Sequence, residues 1–331
     1  MTRGDEMTAA IEIQGLNKSF GDTRAIADLD LTIPRGATYG FIGPSGAGKT
    51  TAIRMIMAIL FPDSGRLSVL GRASALEAKS RIGYLPEERG VYRRMRVGDF
   101  LAYMGQLKGA TRAQALARAD IFLTRLGLPG TAMKKCEDLS KGMLQRVQFI
   151  AAIINQPELI ILDEPFSGLD PVSVRLLKDL IVDEQRRGAT IIFSTHVMAH
   201  AEELCQHVVM INRGRKVLDE PMTSLARQYD RRTIRLVPLD PAADLMRLAK
   251  LPGIERVLLT DEGCEVSLAG GTDPWDAMRT LTAAVAPARI EFARVRLEDV
   301  FIRLVGGDSA SPSDQALRQH LQGLSAQGAL T

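Results

Sequence analysis

The stretch Gly43-Pro44-Ser45-Gly46-Ala47-Gly48-Lys49-Thr50, followed by Thr51, stands between an apolar strand pattern (Thr38 to Ile42) and an apolar helix pattern (Ala52 to Leu60). It matches G-x-x-x-x-G-K-[ST] in full, and its flanks supply the strand and helix that give the motif meaning, so it reads as a phosphate-binding loop. Gly43, Gly46 and Gly48 let the backbone bend until its N–H groups converge on phosphate oxygens. The helix opening near Gly48 adds unpaired N–H groups and a positive dipole end. Lys49 contributes a point charge for the β- and γ-phosphates, and the Thr50 hydroxyl suits the Mg²⁺ that accompanies the nucleotide.

Working outward, the chain has 331 residues, 46% hydrophobic and 24% charged, which is ordinary for a globular protein of two domains. No apolar run approaches the roughly 20 residues needed to cross a bilayer. Ala52 to Phe61, the best candidate, is short and carries Arg54. Met1 to Ala10 lack the pattern of a secretory signal, so a cytoplasmic location is expected. The three cysteines, Cys136, Cys205 and Cys264, have no metal-ligand spacing and are expected to be buried as small apolar residues. A net charge of +3, without a Lys/Arg stripe interleaved with aromatics, argues against a nucleic-acid partner. Arg89, Arg93, Arg94 and Arg96 form a local basic cluster, read as a solvated surface with a partner or lipid-headgroup contact as the alternative.

From residue 11 to about 220 apolar strands mix with amphipathic helices, the pattern of an α/β domain with helices on both faces of its sheet. Ile11 and Ile13, then Leu29, Leu31 and Ile33, alternate like half-buried antiparallel strands, whereas 38–42, 159–162 and 190–194 are continuous apolar runs like buried parallel strands. A mixed sheet is expected. Residues 97–127 carry only helical patterns, which sets a helical subdomain at about 90–155. Val208 to Leu218 reads as a closing hairpin around Arg213-Gly214. Residues 221–305 read as a second domain: strand 231–237, helix 241–250, strands 254–260 and 264–268, helix 274–285, strand 289–295. That order is β-α-β-β-α-β, the ferredoxin-like arrangement. Trp275, Met278, Leu281 and Val285 are expected to pack on its sheet. The segment 306–331 is expected to be a disordered tail with a fragment of helix near 314–324, and 1–10 an N-terminal extension.

Four further segments narrow the chemistry. Leu159 to Leu162 is an apolar strand ending in Asp163 and Glu164, which puts both carboxylates at the sheet edge that carries the phosphate loop. Asp163 is the candidate Mg²⁺ ligand beside Thr50, and Glu164 the candidate for orienting or deprotonating the attacking water. Ser140, Lys141 and Gly142 open a long apolar-periodic helix, where Ser140 is a natural N-cap and the helix end a second anion site. Phe166 to Pro171 make a turn directly after Glu164. His196 follows the strand 190–194, again at the carboxyl edge, where an imidazole could meet a γ-phosphate or its attacking water. His200 and His207 lack that placement and are assigned to a helix and a strand start.

This order of motifs resembles the ATP-binding subunit of an ABC transporter, a P-loop NTPase, over residues 11 to about 220. The resemblance implies ATP and Mg²⁺ as ligands and a head-to-tail dimer of two copies, each loop facing the other copy's signature helix. Ser140, Lys141 and Gly142 would then act in trans and Asp170 would line the dimer contact. Phe20 falls where the family places an aromatic that stacks on adenine, though a strand-end core role fits it equally. Lys141 and Met143 depart from the family's Leu-Ser-Gly-Gly-Gln, and Glu87 stands where a glutamine loop is usual, still able to offer oxygen to Mg²⁺. The runs Gly83 to Gly90 and Leu297 to Arg303 resemble the ABC-2 exporter branch associated with sodium or drug efflux. The resemblance implies an ATPase that drives a separate ABC-2 type permease, peripheral on the cytoplasmic face of the membrane. The alternative readings are an ABC ATPase not coupled to transport and a nucleotide-gated regulatory module sensing a ligand through its C-terminal domain.

Overall fold

Alternation at Ile11, Ile13, Leu29, Leu31 and Ile33 becomes one buried face of an antiparallel ladder in the computed structural model, which describes residues 9–88, 90–229, 233–292 and 296–306. Strands β1 (Ala9–Phe20) and β2 (Thr23–Pro34) pair with Ile11 opposite Ile33 and Ile13 opposite Leu31. Ala9 and Ala10 already belong to β1, so pairing starts inside the expected N-terminal extension. The strands that flank the loop motif divide between two sheets. β3 (Thr38–Ile42) is buried at every residue, whereas β4 (Ser64–Val69) returns to pair with β1, completing a three-stranded sheet in the order β2-β1-β4.

β5 (Ile82–Leu85), β6 (Leu159–Asp163), β7 (Thr190–Thr195), β8 (His207–Asn212) and β9 (Arg215–Pro221) join β3 in a six-stranded sheet, order β5-β6-β7-β3-β8-β9. Its first five members run parallel. β9 follows β8 after only Arg213 and Gly214, a connection that only antiparallel strands make, so this sheet is mixed through its edge. The alternating strands, expected in that same sheet, form their own, because each keeps one polar face that a doubly covered parallel sheet cannot accept.

Helix α1 (Lys49–Ile56) is shorter than the apolar pattern to Leu60 suggested: Ala58 takes φ 53°, which ends it. After the single turn α2 (Ala75–Ala78), α3 (Val97–Gln106) and α4 (Arg112–Arg125) fill the interval between β5 and β6. A capping box between Thr111 and Gln114 starts α4. α5 (Lys141–Ile153), α6 (Pro171–Arg186) and α7 (Met198–Leu204) belong to the same unit. All three cysteines are free and buried. Arg89 and everything expected after Gly306, including the helix near 314–324, lie outside the described residues. Among those described, no helix is long and apolar enough to cross a membrane.

Residues 221–300 form a second compact unit. It opens with α8 (Met222–Tyr229), and its sheet comprises β10 (Thr233–Pro238), β11 (Ile254–Leu259), β12 (Cys264–Leu268) and, after helix α9 (Pro274–Ala284), β13 (Pro287–Phe292). The order β11-β12-β10-β13, antiparallel throughout, closes over Ile234, Leu236, Leu248, Val266 and Leu281. Two expectations fail here. The helix expected at 241–250 is a 3₁₀ segment, Leu245–Lys250, because the Asp240 and Asp244 carboxylates accept the N–H groups of Ala242 and Met246 and hold the entry in turns. Trp275 is not core but 62% exposed, its ring edge-on to Phe292 at 5.4 Å. The buried stripe of α9 is Ala277 and Leu281, one turn apart, and Trp275 at the first turn falls off it.

Candidate functional site

The carboxyl ends of β3, β6 and β7 meet at one edge, and their first residues beyond the strands carry the chemistry. Leaving β3, the loop takes φ 147° at Gly43, 76° at Gly46 and 112° at Gly48. A Cβ on Gly43 would stand 2.1 Å from the Ile211 carbonyl oxygen and one on Gly48 2.5 Å from that of Ala25, so neither position admits a side chain. Lys49, buried, donates from Nζ to the carbonyls of Gly43 at 2.7 Å and Pro44 at 3.0 Å. Burial lowers its pKa, opposed by the nearby charges of Glu164, Asp163 and Glu87. The loop residues Gly46 to Thr51, with Thr23, Arg24, Ala25, Arg213 and Gly214, line a cavity of about 380 Å³.

Asp163 ends β6 almost fully buried, at 1% exposure. Its Oδ1 accepts from the hydroxyl of Ser194 and, at 3.4 Å, from that of Thr50, while Oδ2 is buried without a hydrogen-bond partner. Burial raises its pKa against these two bonds. Such an orphaned carboxylate oxygen beside the loop hydroxyl fits a hard cation that takes its remaining oxygens from phosphate and water. Among the described residues there is no group of three or more His, Cys, Asp or Glu that could hold a metal by itself. Glu87, exposed two residues beyond β5, bonds neither Thr50 nor Asp163, although its charge is felt at Lys49 and His196.

Glu164 adopts φ 49° and donates its N–H to the Ser194 carbonyl at 3.2 Å. Its Oε1 lies 2.9 Å from Nδ1 of His196. That bond raises the His196 pKa above the ordinary imidazole value, against partial desolvation. Ser194, which ties Asp163 and Glu164 together, was not picked out from the sequence. Its only local signal is a hydroxyl inside the apolar run of β7, and it meets Asp163 because the parallel register sets the two opposite each other.

Phe20 ends β1 at 52% exposure with the Lys18 ammonium 5.6 Å from its ring centroid, so the core alternative for it is overturned. Ser140 caps α5, its hydroxyl accepting from Met143 N–H at 3.2 Å. Lys141, exposed, and Gly142, half-buried, follow on the first turn. Asp170 caps α6, holding Ser173 through its N–H at 2.9 Å and its hydroxyl at 2.5 Å, and these bonds lower its pKa. A Cβ on Gly142 would meet Leu169 at 3.6 Å, so the two caps are neighbours. None of Ser140, Lys141, Gly142 or Asp170 bonds the phosphate loop of its own chain. Neither His200 nor His207 joins the site: His200 is packed edge-on against Phe166 at 4.6 Å, its pKa pushed down to about 4 by burial, and His207 stacks on Tyr39 and bonds Asp219 at 2.7 Å.

The arrangement offers a cationic, amide-lined loop for phosphate, a buried carboxylate for a cation, and a Glu–His pair for water. Comparison with known proteins shows the family. Residues 26–167 match the family model described as ABC transporter. The uncharacterized ABC transporter ATP-binding protein YhaQ of Bacillus subtilis (strain 168) is 37% identical over 89% of this chain and 98% of its own length. The Nod factor export ATP-binding protein I of Paraburkholderia xenovorans (strain LB400) is 32% identical over 90% of this chain and 97% of its own. Among solved structures, an ATP binding subunit of an ABC transporter superposes with a TM-score of 0.62 at 28% identity, covering 67% of this chain and 93% of that one.

Proposed function

The chain belongs to the family of ABC transporter ATP-binding proteins, and from that premise we propose that it is the ATP-hydrolysing subunit of an ABC-2 type export system, driving a separate membrane permease from the cytoplasmic face. Membership makes it an ATP-binding protein and an ATPase. The export direction is supported by the Nod factor export relative and by the Gly83 to Gly90 and Leu297 to Arg303 runs.

The single observation that carries the assignment of roles is the convergence of Lys49, Thr50, Asp163, Glu164 and His196 at one sheet edge. In this reading Lys49 exchanges the carbonyls of Gly43 and Pro44 for phosphate oxygens, and the loop amides from Gly43 to Thr51 cradle the rest. Thr50 and Asp163 hold Mg²⁺, with Glu87 as a further oxygen donor. Mg²⁺ held there would supply charge neutralisation to the phosphoryl group being transferred. Glu164 orients the attacking water and takes its proton; its carboxylate accepts from Nδ1–H of His196 and favours the imidazolium, and in that protonated form Nε2–H donates to the γ-phosphate. Phe20 stacks on the base. Ser140, Lys141 and Gly142 serve the loop of a second copy in a head-to-tail dimer, with Asp170 at the contact.

Glu164→Gln tests this directly. The variant should bind ATP like the wild type, lose turnover by about a hundredfold or more, and elute as a dimer when ATP is present. Undiminished hydrolysis would remove Glu164 from its role, and a monomer under ATP would remove the head-to-tail pairing.

A further inference from the structure

The hairpin turn between β8 and β9 is built into the wall of the nucleotide cavity. Gly214 donates its N–H to the Ala47 carbonyl at 2.9 Å and accepts from Ala27 N–H at 2.8 Å, so the turn is hydrogen-bonded to the phosphate loop on one side and to β2 on the other. Both turn residues have positive φ, 47° at Arg213 and 76° at Gly214. A two-residue turn of that kind favours Asn, Asp or Gly at its first position, and nothing in its backbone asks for arginine. Arg213 nevertheless holds the left-handed conformation, is exposed, and makes no hydrogen bond or ion pair with any described residue.

The cavity lining carries three cations, Arg24, Lys49 and Arg213, and no carboxylate. Two of the cations are engaged: Lys49 by the loop carbonyls and Arg24 by Asn17 Oδ1 at 2.6 Å. Arg213 is the uncommitted one. Its turn leans on the β2 side of the loop: Gly214 packs against Gly48 and the Arg24-Ala25 backbone, which leads back through Thr23 to its partner Phe20. In the reading that stacks Phe20 on the base, this is the base-proximal side of the cavity. We propose that Arg213 is a nucleotide-anchoring residue whose guanidinium binds the α-phosphate, so that ATP and ADP are held by it equally. The proposal rests on the reading of the loop as an ATP site. A planar fork of N–H donors matches phosphate oxygens better than an ammonium does.

The test is calorimetric titration of MgATP and MgADP into the full chain and into Arg213→Asn and Arg213→Lys, with steady-state hydrolysis alongside. Asparagine is the residue the turn prefers, so that variant keeps the hairpin and removes only the guanidinium. R213N should weaken both nucleotides by the same factor, about tenfold, with KM rising in parallel and kcat little changed, while R213K falls between it and the wild type. Binding of both nucleotides within about twofold of wild type would overturn the proposal. So would a loss for ATP about threefold or more beyond that for ADP, which would put the guanidinium at the γ-phosphate. A wild-type chain that binds neither nucleotide would instead remove the ATP reading, and the proposal with it.

Discussion

Replacing Ser194 by alanine isolates the buried hydrogen bond on which the two carboxylates depend. The hydroxyl is fully buried, donates to Asp163 Oδ1 and faces the Glu164 N–H at 3.3 Å. Without it Asp163 retains one donor, Thr50 at 3.4 Å, in a site where Oδ2 already has none. A hydrogen bond to a charged group contributes about 1.5–3 kcal/mol, and alanine leaves only an atom-sized gap, so Ser194→Ala should cost about 2 kcal/mol at neutral pH. The sign of its pH dependence follows from Asp163. Burial has raised that folded-state pKa, so the folded chain takes up the proton before the unfolded chain does as pH falls. Removing Ser194 raises it further. The penalty is therefore full above the folded pKa, where Asp163 is ionised, and shrinks as the carboxyl protonates. Urea denaturation of the nucleotide-free chain, followed by circular dichroism at about pH 7.5 and about pH 4.5, measures both quantities. A loss below about 0.5 kcal/mol at the higher pH, or a loss that grows as pH falls, would refute the reasoning.

His196 should titrate above the usual imidazole value in the wild type, because Glu164 bonds its Nδ1, and fall back toward about 6.5 in Glu164→Gln. Imidazole NMR signals followed against pH report both, and an unmoved titration would show that Glu164 is not the cause. Since the pKa is raised, the stabilisation from this pair is present below the unfolded pKa and lost as pH rises through the folded one. In the phosphate loop, Gly43→Ala forces a Cβ to 2.1 Å from the Ile211 carbonyl oxygen at φ 147° and should cost about 3 kcal/mol and nucleotide binding. Gly46→Ala, whose Cβ would meet nothing within 4 Å, should cost only about 1 kcal/mol for its φ of 76°. Equal thermal shifts for the two would contradict the packing account.

What the sequence disclosed and what it hid divide along physical lines. The loop, the strand-end carboxylates and His196 were legible because each is local: a motif between a strand and a helix, or a polar residue ending an apolar run. Ser194 was not, since its partner is fixed by the register between β6 and β7, and no local pattern encodes a register. Arg213 was placed in a hairpin correctly, but that this hairpin leans on Ala47 and Ala27 is a tertiary fact. At α9 the apolar residues were all counted into one stripe, whereas six positions separate Trp275 from Leu281 and put them on different faces. At 241–250 the residues have helical character, but two aspartates compete for the backbone donors a helix would need.

The electrostatics of the site bear on why ligand binding and folding should be linked here. Lys49 and Asp163 are both buried, and burial works against the charged form of each, lowering one pKa and raising the other. Each is only half compensated: the ammonium rests on two neutral carbonyls and the carboxylate has one empty oxygen. Phosphate would supply the charge that Lys49 lacks, and a cation the partner that Asp163 lacks, so the two deficits are complementary and a cation–phosphate complex satisfies both together. Removing one charge does not relieve the other. Asp163→Asn takes away an attraction that keeps Lys49 protonated, and Lys49→Ala leaves the carboxylate with less opposing charge in the same buried space. Ligand that binds only the folded chain stabilises it by mass action, and in this site that stabilisation includes the release of two desolvation penalties that the empty loop must carry.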